Sequence, residues 1–284
     1  MSRVRGVRSA RGGSLNRRQP ASVAYFTFES LDDFGELTHA ITTRHGGVSQ
    51  GRYASLNLTT GTGDEPQAVR ENLDRVCATL GLRRGDVVSP NQRHTANVRR
   101  IEAMDRGQVY TGYDVFITDQ PGVPLLLRYA DCTPILIYDP CRGAIGVVHS
   151  GWRGTVQAAA RAAVETLAHE YGSRPADMIA GIGPCIGPCC YEVGEDVIAA
   201  VRATFARPDD LLPAGSNGRR RFDLWAANHR WLSEAGVRRI ELAGLCTVCR
   251  NDEFYSYRAE QGRTGHFGAL MMLRKQMTES GKED

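Results

Sequence analysis

Three short stretches of this chain bring together side chains that could do chemistry. Asn91–Gln92–Arg93–His94 reads as a polar turn between strands, and Ala130–Asp131–Cys132 sits between two apolar runs. His149–Ser150–Gly151–Trp152–Arg153–Gly154 marks a strand turning into a helix. Two imidazoles and a thiolate suit Zn2+, and three protein ligands leave the fourth tetrahedral position open to water or substrate. Cys132 and His149 fall at the edges of consecutive strands, so a hairpin would join them, while His94 must arrive from an earlier strand. The spacing is not a diagnostic zinc pattern. A buried cysteine beside two histidines satisfied by backbone groups is the plainer alternative. A second set competes for the metal: Cys185, Cys189 and Cys190 with the C-x-x-C of Cys246 and Cys249 could bind a structural zinc through four thiolates. Pro184, Gly187 and Pro188 equally shape that first loop for close backbone approach.

Other polar residues gather in loops. Arg44 and Asn57 flank a Gly/Ser-rich segment, RHGGVSQGRYASLN. Arg153 lies at the start of a helix expected from Thr155, where free N–H groups and the helix dipole favour an anion. Arg258 and Arg263 follow an aromatic segment. Each alone is ordinarily a surface arginine; together they point to an anionic or phosphate-bearing substrate.

The elements that must position these residues are legible from periodicity. Strands are expected over 24–28 and 41–44, then a helix over Pro66–Leu80 with proline at its start and Gly81 at its stop. Short strands follow over 87–89, 97–101, 113–118, 124–128, 134–138 and 144–149. An Ala-rich helix spans 155–171 and ends at Gly172. After a strand over 177–182 come helices over 195–205 and 223–235, the latter capped by Asp223. Strands over 239–243, 253–257 and 265–273 close the chain. Strands dominate the first half and helices enter in the second, without repeat or long linker, which predicts a single-domain α+β protein.

Composition narrows the function. Among 284 residues, 42% are hydrophobic and 24% charged, an ordinary globular balance, and no apolar run is long enough to span a membrane. The net charge is +3, but residues 1–20 carry six arginines and no acid; without them 29 basic residues face 32 acidic ones. A body of negative charge argues against nucleic-acid binding. The Arg-rich start lacks the apolar stretch of a secretory signal. A disordered, dispensable tail over 1–22 is expected, with an organelle transit peptide as the alternative. The catalytic domain would cover 23–275 and a second disordered tail 276–284. Eight cysteines are too sparse for a disulfide scaffold and read as reduced thiols in the cytoplasm.

The stretches TTRHGGVS, Gln92-x-His94, the run from Asp114 through ADCTPILIYDP, HSGWRG, GIGPCIGPCCYEVG, FDLWAAN and LCTVC…FYSYR follow one another across residues 24–274. In that order they resemble the YfiH-like family, named for polyphenol oxidase ("laccase domain") activity and also described as purine nucleoside phosphorylases. The resemblance implies a four-layer α/β/β/α sandwich with mixed sheets and a zinc ion on His94, Cys132 and His149. It also implies kinship with hydrolases that pair a cysteine with a histidine. The activities implied are phosphorolysis of adenosine, inosine and methylthioadenosine, and deamination of adenosine. On this reading Cys132, Asp131 and His149 carry catalysis, Asp131 as the proton shuttle, while Arg44, Asn57 and Arg153 bind substrate. Purine nucleosides and phosphate are then the partners. One departure stands out: the family's Q-x-H-G reads Gln92–Arg93–His94–Thr95 here, which predicts a stiffer loop.

Two further readings compete with phosphorolysis. One is amide hydrolysis of nucleotide-linked cell-wall precursors; the other is a non-catalytic adaptor whose Cys/His set is structural. Multicopper laccase chemistry is excluded, since a trinuclear copper centre needs more histidines than the seven present, and no H-x-H pair occurs. Weak copper-dependent oxidation at the two-histidine, one-cysteine site is compatible with the residues, with Cu2+ in place of zinc.

Overall fold

The strand Thr133–Asp139 sends Ile135 and Ile137 to one face and Leu136 and Tyr138 to the other, and all four are fully buried. A strand that is apolar on both faces must be covered on both. That requirement sets the layering. The computed structural model describes residues 7–8, 14–20 and 23–275. Its strands are β1 (Val7–Arg8), β2 (Ser14–Arg18), β3 (Tyr25–Phe28), β4 (Leu37–Thr42), β5 (Ser89–Asn91), β6 (Val98–Arg100) and β7 (Val109–Thr111). They continue as β8 (Val115–Thr118), β9 (Leu125–Tyr129), β10 (Thr133–Asp139), β11 (Ala144–Ser150), β12 (Ile179–Ile182), β13 (Arg239–Leu242) and β14 (Phe267–Leu273). The helices are α1 (Glu29–Asp32), α2 (Pro66–Leu80), α3 (Trp152–Val156), α4 (Ala159–Tyr171), α5 (Glu195–Thr204) and α6 (Leu224–Glu234).

Two six-stranded sheets form the centre. One runs β1-β2-β3-β4-β14-β9, antiparallel throughout; the other runs β13-β12-β10-β11-β8-β6, with parallel pairs at both ends. A short parallel pair, β5 and β7, stands apart. Leu136, Tyr138, Ile145 and Val147 of the mixed sheet meet Phe26, Phe28, Leu125, Leu127 and Phe267 of its partner in one core. Ile135, Ile137 and Val148, on the opposite face, pack on Ala160, Ala163, Val164 and Leu167 of α4 and on residues of α5 and α6. Beyond the antiparallel sheet, Cys77 of α2 packs with Leu126 and Leu270. The four-layer α/β/β/α order with a mixed sheet is as the family resemblance implied. The sheets approach so closely at Gly181 that a Cβ there would lie 2.5 Å from the Phe28 ring.

Helix α2 matches its expected bounds, and Gly81 closes it with φ +70. Asp223 caps α6 by accepting from Ala226 N–H at 3.0 Å. Three expectations fail. The helix over 155–171 is broken into α3 and α4 by Ala158, whose φ of 59 is left-handed. The cause is tertiary: Trp231 Nε1 donates to the Thr155 carbonyl at 2.7 Å, and Thr155 Oγ1 joins Ser150 and Asn228 in a buried network. The segment 253–257 is no strand. Phe254 and Tyr255 are buried as a strand would bury them, but Glu253 and Phe254 N–H both bond locally to the Arg250 carbonyl.

The third correction concerns the tail. Ser14–Arg18 is a strand, paired antiparallel with β3 through Leu15↔Phe28 and Arg17↔Phe26. Leu15 is buried in the inter-sheet core, and Arg17 and Arg18 pair with Glu253 and Asp32. The disordered-tail expectation missed this because one apolar residue among arginines shows no periodicity until its partner strand is in place. The rest of that expectation, over 1–6, 9–13, 21–22 and 276–284, lies outside the described residues. Burial of one leucine contributes about 1.5–3 kcal/mol. Deleting residues 1–20 should therefore lower the melting temperature by roughly 5 °C. An unchanged melting curve for the truncated chain would show that β2 adds nothing to the sheet.

Candidate metal and substrate site

Antiparallel pairing of β10 with β11 sets Thr133 opposite Ser150 and Pro134 opposite His149. Cys132, one residue before β10, thus meets the end of β11, as the hairpin argument expected. Contact is close: a Cβ on Gly151 would lie 2.6 Å from Cys132 Sγ, so only glycine fits there. His94 arrives on the loop between β5 and β6. Both turns are backbone-strained, with φ of 62 at His94 and 86 at Asp131, a region that non-glycine residues adopt only when held there.

Two buried carboxylates hold them. Asp114 Oδ2 accepts from Arg93 N at 3.0 Å, Thr95 N at 2.9 Å and Thr95 Oγ1 at 3.1 Å, clamping the loop on either side of His94. Thr95, at the position where the resemblance leads one to expect glycine, adds its hydroxyl to this clamp. Asp131 Oδ1 accepts from Thr247 Oγ1 at 2.6 Å, and Oδ2 from Arg258 N at 2.7 Å. Gln92 completes the frame by bonding both backbone groups of Arg128 on β9, at 2.8 and 3.0 Å.

The ligand atoms of His94, Cys132 and His149 all lie within 4.8 Å of one another, and the two imidazole rings sit edge to face at 5.0 Å. His149 Nδ1 bonds to Asp114 Oδ1 at 2.8 Å, which leaves Nε2 for the shared centre. Burial would raise the Cys132 thiol, but His149 and His94 outweigh it and bring the thiol down to about 6. Burial would likewise lower His149, yet Cys132 and the bond to Asp114 raise it to about 9. Asp114, which burial would raise, falls to about 2 through its bonds with His149 and the loop N–H groups. The alternative of backbone-satisfied histidines is not what the geometry presents. Both imidazoles turn to one thiolate, a donor set suited to a thiophilic divalent ion.

The three line a cavity of about 870 Å3. Its wall includes Arg93, Arg128, Trp152, Arg153, Tyr191, Tyr257, Arg258 and His266, with Asp131 as the one acid. The guanidinium groups of Arg93 and Arg153 make no hydrogen bond or ion pair among the described residues; that of Arg153 stacks on Trp152 at 4.3 Å. His266 borders the cavity with a ring Nδ1 that finds no partner among the described residues, and burial lowers its pKa to about 4.

Two expected substrate ligands fall outside. Arg44 donates to the Ala54 and Asn251 carbonyls, pairs with Glu260 at 3.1 Å and covers the Tyr255 ring. Asn57 is fully buried, bonding Asp64, Thr59 and His266 N. Neither lines the cavity: the polar loop that suggested binding spends its polar groups on its own fold. Arg153 does line it, but on the five-residue α3 and not at the start of the long helix. Asp114, His266 and Arg128 were missed as site residues. Asp114 reaches His149 only because Val115 of β8 pairs with Val148 of β11, a register that spacing in sequence does not carry.

The family model described as multi-copper polyphenol oxidoreductase laccase matches residues 38–274. A purine nucleoside phosphorylase of Deinococcus radiodurans is 39% identical over 246 residues, covering 87% of this chain and 93% of that protein. One of Bacteroides thetaiotaomicron is 35% identical over 258 residues, covering 87% and 96%. Crystal structures of Bacillus licheniformis YfiH and Geobacillus stearothermophilus YlmD superpose with TM-scores of 0.85 at 32% and 33% identity, each covering 91% of this chain and 99% of theirs. The clamp around His94, the Cys132–Gly151 contact and the Asp114–His149 pair thus sit within residues 38–274, in a fold and sequence shared with these proteins over 87–91% of the chain, and the chain belongs to the laccase-like YfiH and YlmD family.

Proposed function

We propose that this protein cleaves purine nucleosides with phosphate, using a zinc ion held by His94, Cys132 and His149. The observation that carries the reading is a donor triangle lining a cavity whose wall also offers arginines that form no ion pair among the described residues. The names of the relatives, purine nucleoside phosphorylase, support the same class. Zinc in this set would supply a Lewis acid with one open position. The chain's own groups do the rest. Arg93 and Arg153 hold the phosphate, whose oxygen attacks the ribose C1′ as the bond to the base nitrogen breaks and the base takes up a proton. Trp152, Tyr191 and Tyr257 offer ring faces to base and sugar, and His266 Nδ1 a neutral polar contact.

Adenosine deamination at the same site needs a proton shuttle. Burial raises the Asp131 carboxyl, the direction a donor at neutral pH requires. Its two bonds to Thr247 and Arg258 also make it the anchor of the Cys132 turn, so the roles must be separated by experiment. If Asp131 is the shuttle, Asp131→Asn keeps stoichiometric zinc and loses deamination. Loss of zinc together with both reactions would make it an anchor only. The same donor set is compatible with copper, which limits oxidase chemistry to a weak side reaction: only His94, His149 and His266 of the seven histidines reach the cavity.

The decisive measurement is product analysis with inosine on metal-quantified protein, with and without phosphate. Hypoxanthine and ribose 1-phosphate should form only with phosphate. Hydrolysis without phosphate, or no turnover by zinc-loaded protein, would overturn the proposal.

Two substitutions test the parts. Arg153→Ala should raise the phosphate KM about tenfold or more, since bonds to a charged group are worth about 1.5–3 kcal/mol. Zinc content should not change, and deamination should suffer less. Asp114→Asn should weaken metal affinity about 10–100-fold, as removal of a carboxylate that orients a metal-binding histidine does. Competition with a chromophoric chelator reads this directly, and unchanged affinity would deny Asp114 its orienting role.

A further inference from the structure

A second group of sulfurs lies outside the cavity. Cys189 and Cys190 sit on the loop that leaves β12, and Cys246 and Cys249 on the turn that follows β13. β12 and β13 are parallel neighbours, so both loops leave the sheet at the same edge. Their pairing continues past the strands: Cys185 N donates to Leu245 O at 3.2 Å, and Thr247 N to Cys185 O at 3.0 Å. Four Sγ atoms are thereby brought within 4.8 Å of one another, Cys249 lying 3.6 Å from Cys189 and 3.5 Å from Cys190. Cys185, grouped with them in the sequence, is buried apart and turns its thiol to the Ile186 carbonyl.

We infer that Cys189, Cys190, Cys246 and Cys249 form a second, structural zinc site, independent of the nucleoside reading. A tetrahedral ion with Zn–S bonds of about 2.3 Å sets its sulfurs about 3.8 Å apart. The two separations of Cys249 lie just below that, at 3.6 and 3.5 Å, and every other pair lies within 4.8 Å. Cys249 is shared by two neighbouring cysteines, an arrangement that suits one common centre better than separate pairs. Gly187 N–H donates to Cys246 Sγ at 3.3 Å, the kind of bond that supports a thiolate ligand. Glycine is required there, because a Cβ would lie 2.6 Å from the Trp225 ring and 3.2 Å from Cys246 Cβ. Cys189 and Cys249 are exposed, which gives the ion a way in. Four thiolates close the coordination sphere and leave no position for substrate, so the ion is structural. Each thiol releases its proton to solvent as its Zn–S bond forms, with no change of oxidation state.

The site staples one wall of the cavity. Ile186 and Tyr191, on the first loop, border the cavity, and Thr247, beside Cys246, donates to Asp131, which holds the Cys132 turn.

The test is metal analysis of the full chain, produced with zinc under reducing conditions. Two zinc ions per chain are expected. Cys132→Ala and Cys249→Ser should each retain one, the double variant none, and Cys141→Ser, an exposed cysteine outside both groups, two. Should Cys249→Ser fail to fold, cobalt loading of the Cys132→Ala protein still decides. Intense sulfur-to-cobalt absorption should appear there, with the second cobalt equivalent left in solution. The inference is overturned if Cys132→Ala protein binds neither zinc nor cobalt, if iron occupies the site, or if thiol titration of unreduced, unfolded protein shows these four cysteines joined as disulfides.

Discussion

The carboxylate of Asp114 is the constraint on which this site turns. It is fully buried and keeps its charge because His149 and three donors of the His94 loop surround it. A buried charge with its partners removed is strongly unfavourable, so the ring of His149 and the loop of His94 are bound to one point. Two donors from distant parts of the chain are thereby held in register before any ion or substrate arrives. The strained backbone at His94 is tolerated for the same reason, as it is over-determined by the bonds on either side.

Asp131 plays the matching part for Cys132. Its oxygens reach Thr247 and Arg258, more than a hundred residues away, so the turn that presents the thiolate is tied to the loops following β13. Those loops also carry Cys246 and Cys249. Most of the cavity wall is built from segments without regular structure, and such segments are usually the least stable part of a fold. Here they are fastened by side-chain bonds to strand ends, and by the four cysteines where these bind their ion.

The buried network of Ser150, Thr155 and Asn228 has a comparable effect on the other side. It fixes α3 against α6 and breaks the long helix at Ala158, so that Trp152 and Arg153 turn onto the cavity instead of continuing along the helix that covers the sheet. The close approaches at Gly151 and Gly181 show how little slack the arrangement leaves. One admits a sulfur and the other an aromatic ring, where a single methyl group would not fit.

Much of this was determined by the sequence itself. Alternation and helical spacing located α2, α6 and most strands, because those signals come from local periodicity and caps. The three candidate ligands were legible because Cys132 and His149 flank a hairpin whose register is local, and because soft donors at strand ends suit a metal. Tertiary structure alone decided the rest. Arg44 and Asn57 look like binding residues in a polar loop, but their partners, Glu260, Asn251 and His266, lie some two hundred residues away and consume them. Asp114 looks like an ordinary acid until the β8–β11 register places it behind His149. Leu15 is a lone apolar residue among arginines until β3 gives it a face to cover. In each case the deciding partner is distant in sequence, and a side chain's role follows from what the fold sets against it, which spacing along the chain does not encode.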